Sequence, residues 1–179
     1  GGWWGYAHWA RQRAQVRPSI LATTNQWRRR WMLQATFRDN RIVDSAVTQS
    51  LSASPQFFAS TSILIIGGLL AALGATDKAS GLVQEIPFAA RTSALVFDLK
   101  LALLAAIFVH AFFRFTWSLR QYSFGAIIVG AAPEAKQFTG MDDAQRELFA
   151  DRAGRVMGLA AETFNDGLRA YYMSFAAVA

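Results

Sequence analysis

The chain has 179 residues, 53% of them apolar, with 14 Phe and 6 Trp and a mean hydropathy of +0.20. Lys plus Arg exceed Asp plus Glu by 18 to 12 and Cys is absent, which excludes a disulfide frame, a thiolate metal site, an iron–sulfur cluster and a cysteine nucleophile. Arg supplies 15 of the 18 cations; in a soluble basic domain that would suggest nucleic acid, but here the basic residues flank lipid-compatible segments, so membrane topology explains them first and no nucleic-acid partner is predicted.

The opening GGWWGYAHW has the aromatic density of a membrane–water boundary, where Trp3, Trp4 and Trp9 place an apolar ring in lipid and an N–H in water. Residues 1–9 are read as the exit end of a first span; the alternative is an aromatic N-terminus lying on the bilayer. Residues 18–41 begin at Pro18, which suits a first helical turn, and mix Trp27 and Trp31 with Arg28, Arg29, Arg30, Arg38 and Arg41. This pattern predicts an interfacial helix on the cytoplasmic side, its guanidinium groups against headgroups and its stems reaching the acyl boundary. A solvated face on the same side accounts for the arginines equally well.

Between Asp44 and Asp77 lie 32 consecutive residues without an ionisable side chain. The hydrocarbon core, about 30 Å thick, needs roughly 20 apolar helical residues, and residues 57–75 supply a span; a buried helix of a soluble protein would carry a polar face toward water. Pro55 predicts a kink or a helix start. Gly67, Gly68, Ala71, Ala72 and Gly74 include small residues four apart, which permit close approach of a neighbouring helix. A ligand channel lined by these glycines has weaker support. The Ser60-Thr61-Ser62 hydroxyls more often bond back to their own helix than to a substrate.

After a short loop of balanced charge, residues 94–119 form the next predicted span, with Asp98, Lys100, His110 and Arg114 as polar passengers. On an ideal helix Lys100, His110 and Arg114 share one stripe, with Arg114 about 40° from each of the other two, and Asp98 lies roughly 160° from Arg114. Ionisable groups in a span are functional candidates: the stripe reads as a proton or anion relay or a socket for an acidic partner. Otherwise Asp98 and Lys100 sit near the outer headgroups, Arg114 snorkels to the inner ones and His110 is a satisfied polar residue. Eight Arg within residues 10–41, against Asp39 alone, put that side in the cytoplasm.

The stretch QYSFGAIIVGAAPEA is too short for another span and reads as a continuation of the preceding helix. Residues 142–170 carry apolar side chains at helical spacing, with Arg146, Asp151, Arg152, Arg155, Glu162 and Asp166 on the other faces, predicting a cytoplasmic amphipathic helix. Asp142, with Gln145 three residues on, caps its start. Tyr171 and Tyr172 then mark an interface, and residues 171–179 begin a last span.

His8 and His110 are far apart in sequence and no catalytic, nucleotide or metal fingerprint is present, so the chain is read as no enzyme, with no cofactor and no metal. The segments NRIVDSAVTQSLSASPQFFASTSILIIGGLLAALGATDKA, FDLKLALLAAIFVHAFFRFTWSLRQYS and FNDGLRAYYMSFAAVA together resemble a bacterial integral-membrane family, the domain of unknown function five hundred and ninety-nine. The resemblance implies about four spans and names no substrate. The expectation is an all-α polytopic membrane helical bundle with interfacial amphipathic helices, in a bacterial inner membrane. Its partners are the lipid bilayer and other membrane-protein subunits, to which it is an accessory or scaffold; respiratory and photosynthetic complexes are candidate hosts. The alternative is a small homo-oligomeric transporter or channel using the His110/Arg114 stripe.

Overall fold

A computed structural model describes residues 20–75, 94–138, 140 and 142–178, and every regular element among them is helical: α1 (Ile20–Ala35), α2 (Ile42–Gly74), α3 (Ala94–Gly130), the single turn α4 (Ala135–Phe138) and α5 (Asp143–Val178). The expected end of a first span at residues 1–9, with Trp3, Trp4 and Trp9, lies outside the described residues.

Several boundaries differ from those expected. The helix expected over 18–41 stops at Ala35, where Thr36, Phe37 and Arg38 donate backbone N–H groups three residues back in a tightened last turn. A new helix then begins within that range. Asn40 Oδ1 accepts the Ile42 N–H at 3.0 Å, satisfying one of the orphan donors at the start of α2, fifteen residues before the apolar run. The helix accommodates hydroxyls along its length by bonds back one turn: Thr48 Oγ1 donates to the Asp44 carbonyl at 2.8 Å, Thr61 Oγ1 to that of Phe57 at 2.9 Å and Ser62 Oγ to that of Phe58 at 2.7 Å. Pro55 lies inside this helix, its ring fully buried, and does not start it.

Helix α3 runs on through QYSFGAIIVG to Gly130. Its end is held by Arg41, whose Nη1 donates to the Val129 carbonyl at 3.0 Å and whose Nη2 donates to that of Pro133 at 2.5 Å, satisfying acceptors at the negative end of the helix dipole. Asp142 caps α5 as expected, its Oδ1 accepting the Ala144 N–H at 3.5 Å. The expected amphipathic helix of 142–170 and the expected start of a last span at Tyr171 lie on one helix, α5, which passes Tyr171 without a break.

The described residues fall into two compact units. One comprises residues 20–48 and 121–162. Its interior holds Met32, Ala35, Tyr122, Val129, Phe138, Ala153 and Met157, and α5 approaches α1 through Gly154 and Gly158: a Cβ at Gly154 would stand 2.9 Å from Arg29 Cα, and one at Gly158 would stand 3.1 Å from Asn25 Oδ1. The other unit comprises residues 49–75, 94–120 and 163–178. Its core is Ala59, Ala111, Phe115 and Ala170, with Phe58, Ile107, Phe112, Phe164, Leu168 and Tyr171 against it.

Helices α2 and α3 are long and apolar enough to cross a membrane, yet only 11% of the most apolar stretch of each is buried within the chain. Ile63, Leu64, Leu70, Leu95, Leu99, Leu103 and Phe113 face outward. A core helix of a water-soluble protein turns such side chains inward.

Candidate functional site

The second unit carries the polar groups singled out in the span. Small residues at the helix contacts let three helices approach: Ala59 on α2, Ala111 on α3, Gly167 and Ala170 on α5. Aromatic rings fill the space between them, with Tyr171 lying 5.5 Å from Phe58, 5.0 Å from Phe108 and 5.5 Å from Phe115 between centroids. Such edge-on contacts add to the area they bury.

Tyr171 therefore packs half-buried against this core, and its polar tip is satisfied there. Its hydroxyl shares a 2.8 Å hydrogen bond with Ser62 Oγ and lies 3.4 Å from the Phe58 carbonyl, which also accepts from Ser62. Tyr172, the other residue expected at an interface, is 67% exposed.

Arg114 is paired. Its Nη2 donates to Asp166 Oδ2, while Arg169 Nη1 donates to Asp166 Oδ1 at 3.1 Å. The amphipathic pattern puts Asp166 on a face away from the apolar side of its helix, yet here it meets the span residue Arg114. His110, one turn before Arg114, is exposed, and Lys100 is half-buried. Asp98 lines an apolar recess of about 490 Å³ with Leu73, Leu95, Leu99 and Ala102, and its buried Oδ1 has no hydrogen-bond partner among the described residues. Thus the structure gives the expected stripe a carboxylate that sequence periodicity did not assign to it.

Of the small residues expected to pack helices, the three glycines face open space among the described residues. At Gly67, Gly68 and Gly74 an added Cβ would find no heavy atom within 4 Å, and Ala71 is exposed with Ala72 half-buried. The close approach occurs instead at Gly154, Gly158 and Gly167, where the Cβ positions are crowded. Their signal was present: Gly154 and Gly158 have the same four-residue spacing.

In the first unit, the residues expected to anchor an interface divide into two sets. Trp27 is exposed and Arg30 lies over its ring at 5.4 Å, an arrangement suited to an apolar–aqueous boundary. Trp31 faces inward, its indole N–H donating to Asp44 Oδ1 at 2.6 Å beside Arg38 Nη1 at 3.1 Å. Arg28 donates to Thr24 Oγ1 and Asn25 Oδ1. Arg29 pairs with Asp151 and, at 3.6 Å, with Glu147; the hydrogen bond from Arg29 to Asp151 and that carboxylate's charge raise the guanidinium above its ordinary pKa.

The amphipathic pattern puts Arg146 on an outward face, but it is only 8% exposed. Its Nη2 donates to the Phe138 carbonyl at 2.6 Å and its Nη1 to that of Thr36 at 3.4 Å, with the guanidinium 4.4 Å above the Phe37 ring. It gathers the ends of α1 and α4, a role that an isolated Arg in a helical pattern does not advertise.

Among the described residues no three of His, Asp and Glu come together to hold a metal. No curated protein and no solved structure matches the chain. The model of the family described as "Protein of unknown function, DUF599" matches residues 1–179, and the chain belongs to that family.

Proposed function

We propose that the chain is a non-catalytic, multi-pass integral-membrane subunit of a bacterial inner membrane, an accessory or scaffold within a larger assembly, with its Arg-rich segments in the cytoplasm. The observation that carries this is the outward apolar surface of α2 and α3, of which only 11% is buried along the most apolar stretches. Lipid or apolar protein must cover such a surface. The face at Gly67, Gly68 and Gly74, which meets no partner among the described residues, supports a protein neighbour, because glycine lets another helix approach closely. The Arg–Trp pairing on α1 and the excess of Arg before α2 support the cytoplasmic assignment.

The test has two stages. Alkaline carbonate extraction should leave the tagged protein in the membrane pellet, and purification in mild detergent should recover a stoichiometric membrane-protein partner by mass spectrometry. Release into the supernatant removes the membrane reading. Recovery of the chain alone removes the accessory role.

A further inference from the structure

We infer that Arg114 and Arg169 form a site for the phosphate of an anionic phospholipid, an inference that rests on the membrane reading above. Two guanidinium groups bracket one carboxylate, Asp166, each taking one of its oxygens. The cluster therefore carries one uncompensated positive charge. Each guanidinium has five N–H donors and the pairing with Asp166 uses one of them. None of the three side chains is buried: Arg114 is 34% exposed, Asp166 41% and Arg169 55%.

Position along α3 points to a headgroup in particular. Arg114 lies about 28 Å along the helix axis from Leu95, close to the hydrocarbon thickness of about 30 Å, so a span entered near Leu95 delivers Arg114 to the opposite headgroup layer. The aromatic residues around it agree. Phe113 and Trp117 on α3 and Tyr172 on α5 are all exposed beside the two arginines, a composition found where acyl chains meet phosphate. In that layer a phosphate bound by both guanidinium groups would neutralise the excess charge through charge-assisted hydrogen bonds. Asp166 is then a positioning residue: it holds the two arginines side by side and also opposes the incoming anion.

The full-length protein in detergent micelles is titrated with dioleoylphosphatidylglycerol, dioleoylphosphatidylcholine or inorganic phosphate, and thermal unfolding is followed by circular dichroism. Phosphatidylglycerol should raise the midpoint where phosphatidylcholine and inorganic phosphate at equal concentration do not. Arg169→Gln should weaken the response to phosphatidylglycerol by about fivefold, the contribution of one basic residue near an anionic surface. Arg114→Gln should act in the same direction. Asp166→Asn keeps an amide oxygen that accepts from the arginines but removes the opposing charge, so it should strengthen the response, and a weaker response overturns the lipid site. Should Arg114→Gln fail to fold, Arg169→Gln still decides, since Arg114 continues to hold Asp166. An unchanged response in Arg169→Gln, no response in the parent, or full reproduction by inorganic phosphate overturns the lipid site. These failures are separable from failure of the membrane reading, which carbonate extraction addresses.

Discussion

Replacing Gly154 by Ala tests the contact between α5 and α1 at its tightest point. The added methyl carbon would lie 2.9 Å from Arg29 Cα and 3.2 Å from Arg29 N, whereas nonbonded carbons settle at about 3.5–4.0 Å. Both obstructing atoms are backbone, so the strain is relieved only if α1 retreats by roughly 0.6 Å or more to restore that separation. Overpacking of this kind costs about 1–3 kcal/mol, and the gain in helix propensity from Gly to Ala, about 1 kcal/mol, offsets part of it. A net loss of up to about 2 kcal/mol follows for Gly154→Ala. One turn on, Gly158→Ala meets Asn25 Oδ1 at 3.1 Å, the end of a side chain that can rotate. Rotation disturbs the Asn25 bonds with Arg28 and Glu162, worth about 1 kcal/mol, which the propensity gain cancels. Thermal unfolding in detergent should therefore rank Gly154→Ala clearly below Gly158→Ala, which should match the parent. Equal stability of the two variants, or the reverse order, would refute the argument that backbone proximity sets the cost.

The same assay separates other features. Gly68→Ala should be neutral or stabilising by up to about 1 kcal/mol in the isolated chain, since nothing crowds its Cβ, while reducing recovery of a membrane partner in pull-downs; unchanged recovery would show that this face is not a contact. Arg146→Met should cost about 2–4 kcal/mol by leaving the Thr36 and Phe138 carbonyls without their charged donor, and a loss under about 1 kcal/mol would mean that water replaces it. Tyr171→Phe and Ser62→Ala should each cost about 1 kcal/mol, with a double variant costing less than their sum because the two hydroxyls share one hydrogen bond. Strict additivity would assign them separate roles.

The two candidate spans were legible because an unbroken apolar run has few uses other than a hydrophobic environment. The start of α2 was not legible: Ser, Thr and Gln after Asp44 are polar by composition, and the bond by which Thr48 satisfies its hydroxyl on the Asp44 carbonyl one turn back is not visible in composition. Small residues posed a different difficulty. Spacing marks Gly67 with Ala71 as strongly as Gly154 with Gly158, and nothing in a single sequence says which pair meets a helix of the same chain. Charged residues hid most. Arg146 and Asp166 sit in an amphipathic pattern that assigns every ion to the outside, yet one is buried under two carbonyls and the other joins the Arg114 stripe. Trp31 was read as an anchor from its neighbours, because the partner of its N–H, Asp44, lies on the next helix.

The crowding of Gly167 against Phe115, where an added Cβ would lie 2.5 Å from a ring carbon, ties two positions fifty-two residues apart into one volume. Alanine at 167 has room only if the ring at 115 gives way to something smaller, so a damaging Gly167→Ala should be rescued by Phe115→Leu even though the latter alone leaves a void. Substitutions at these two sites should accordingly travel together among relatives, as compensating exchanges of size.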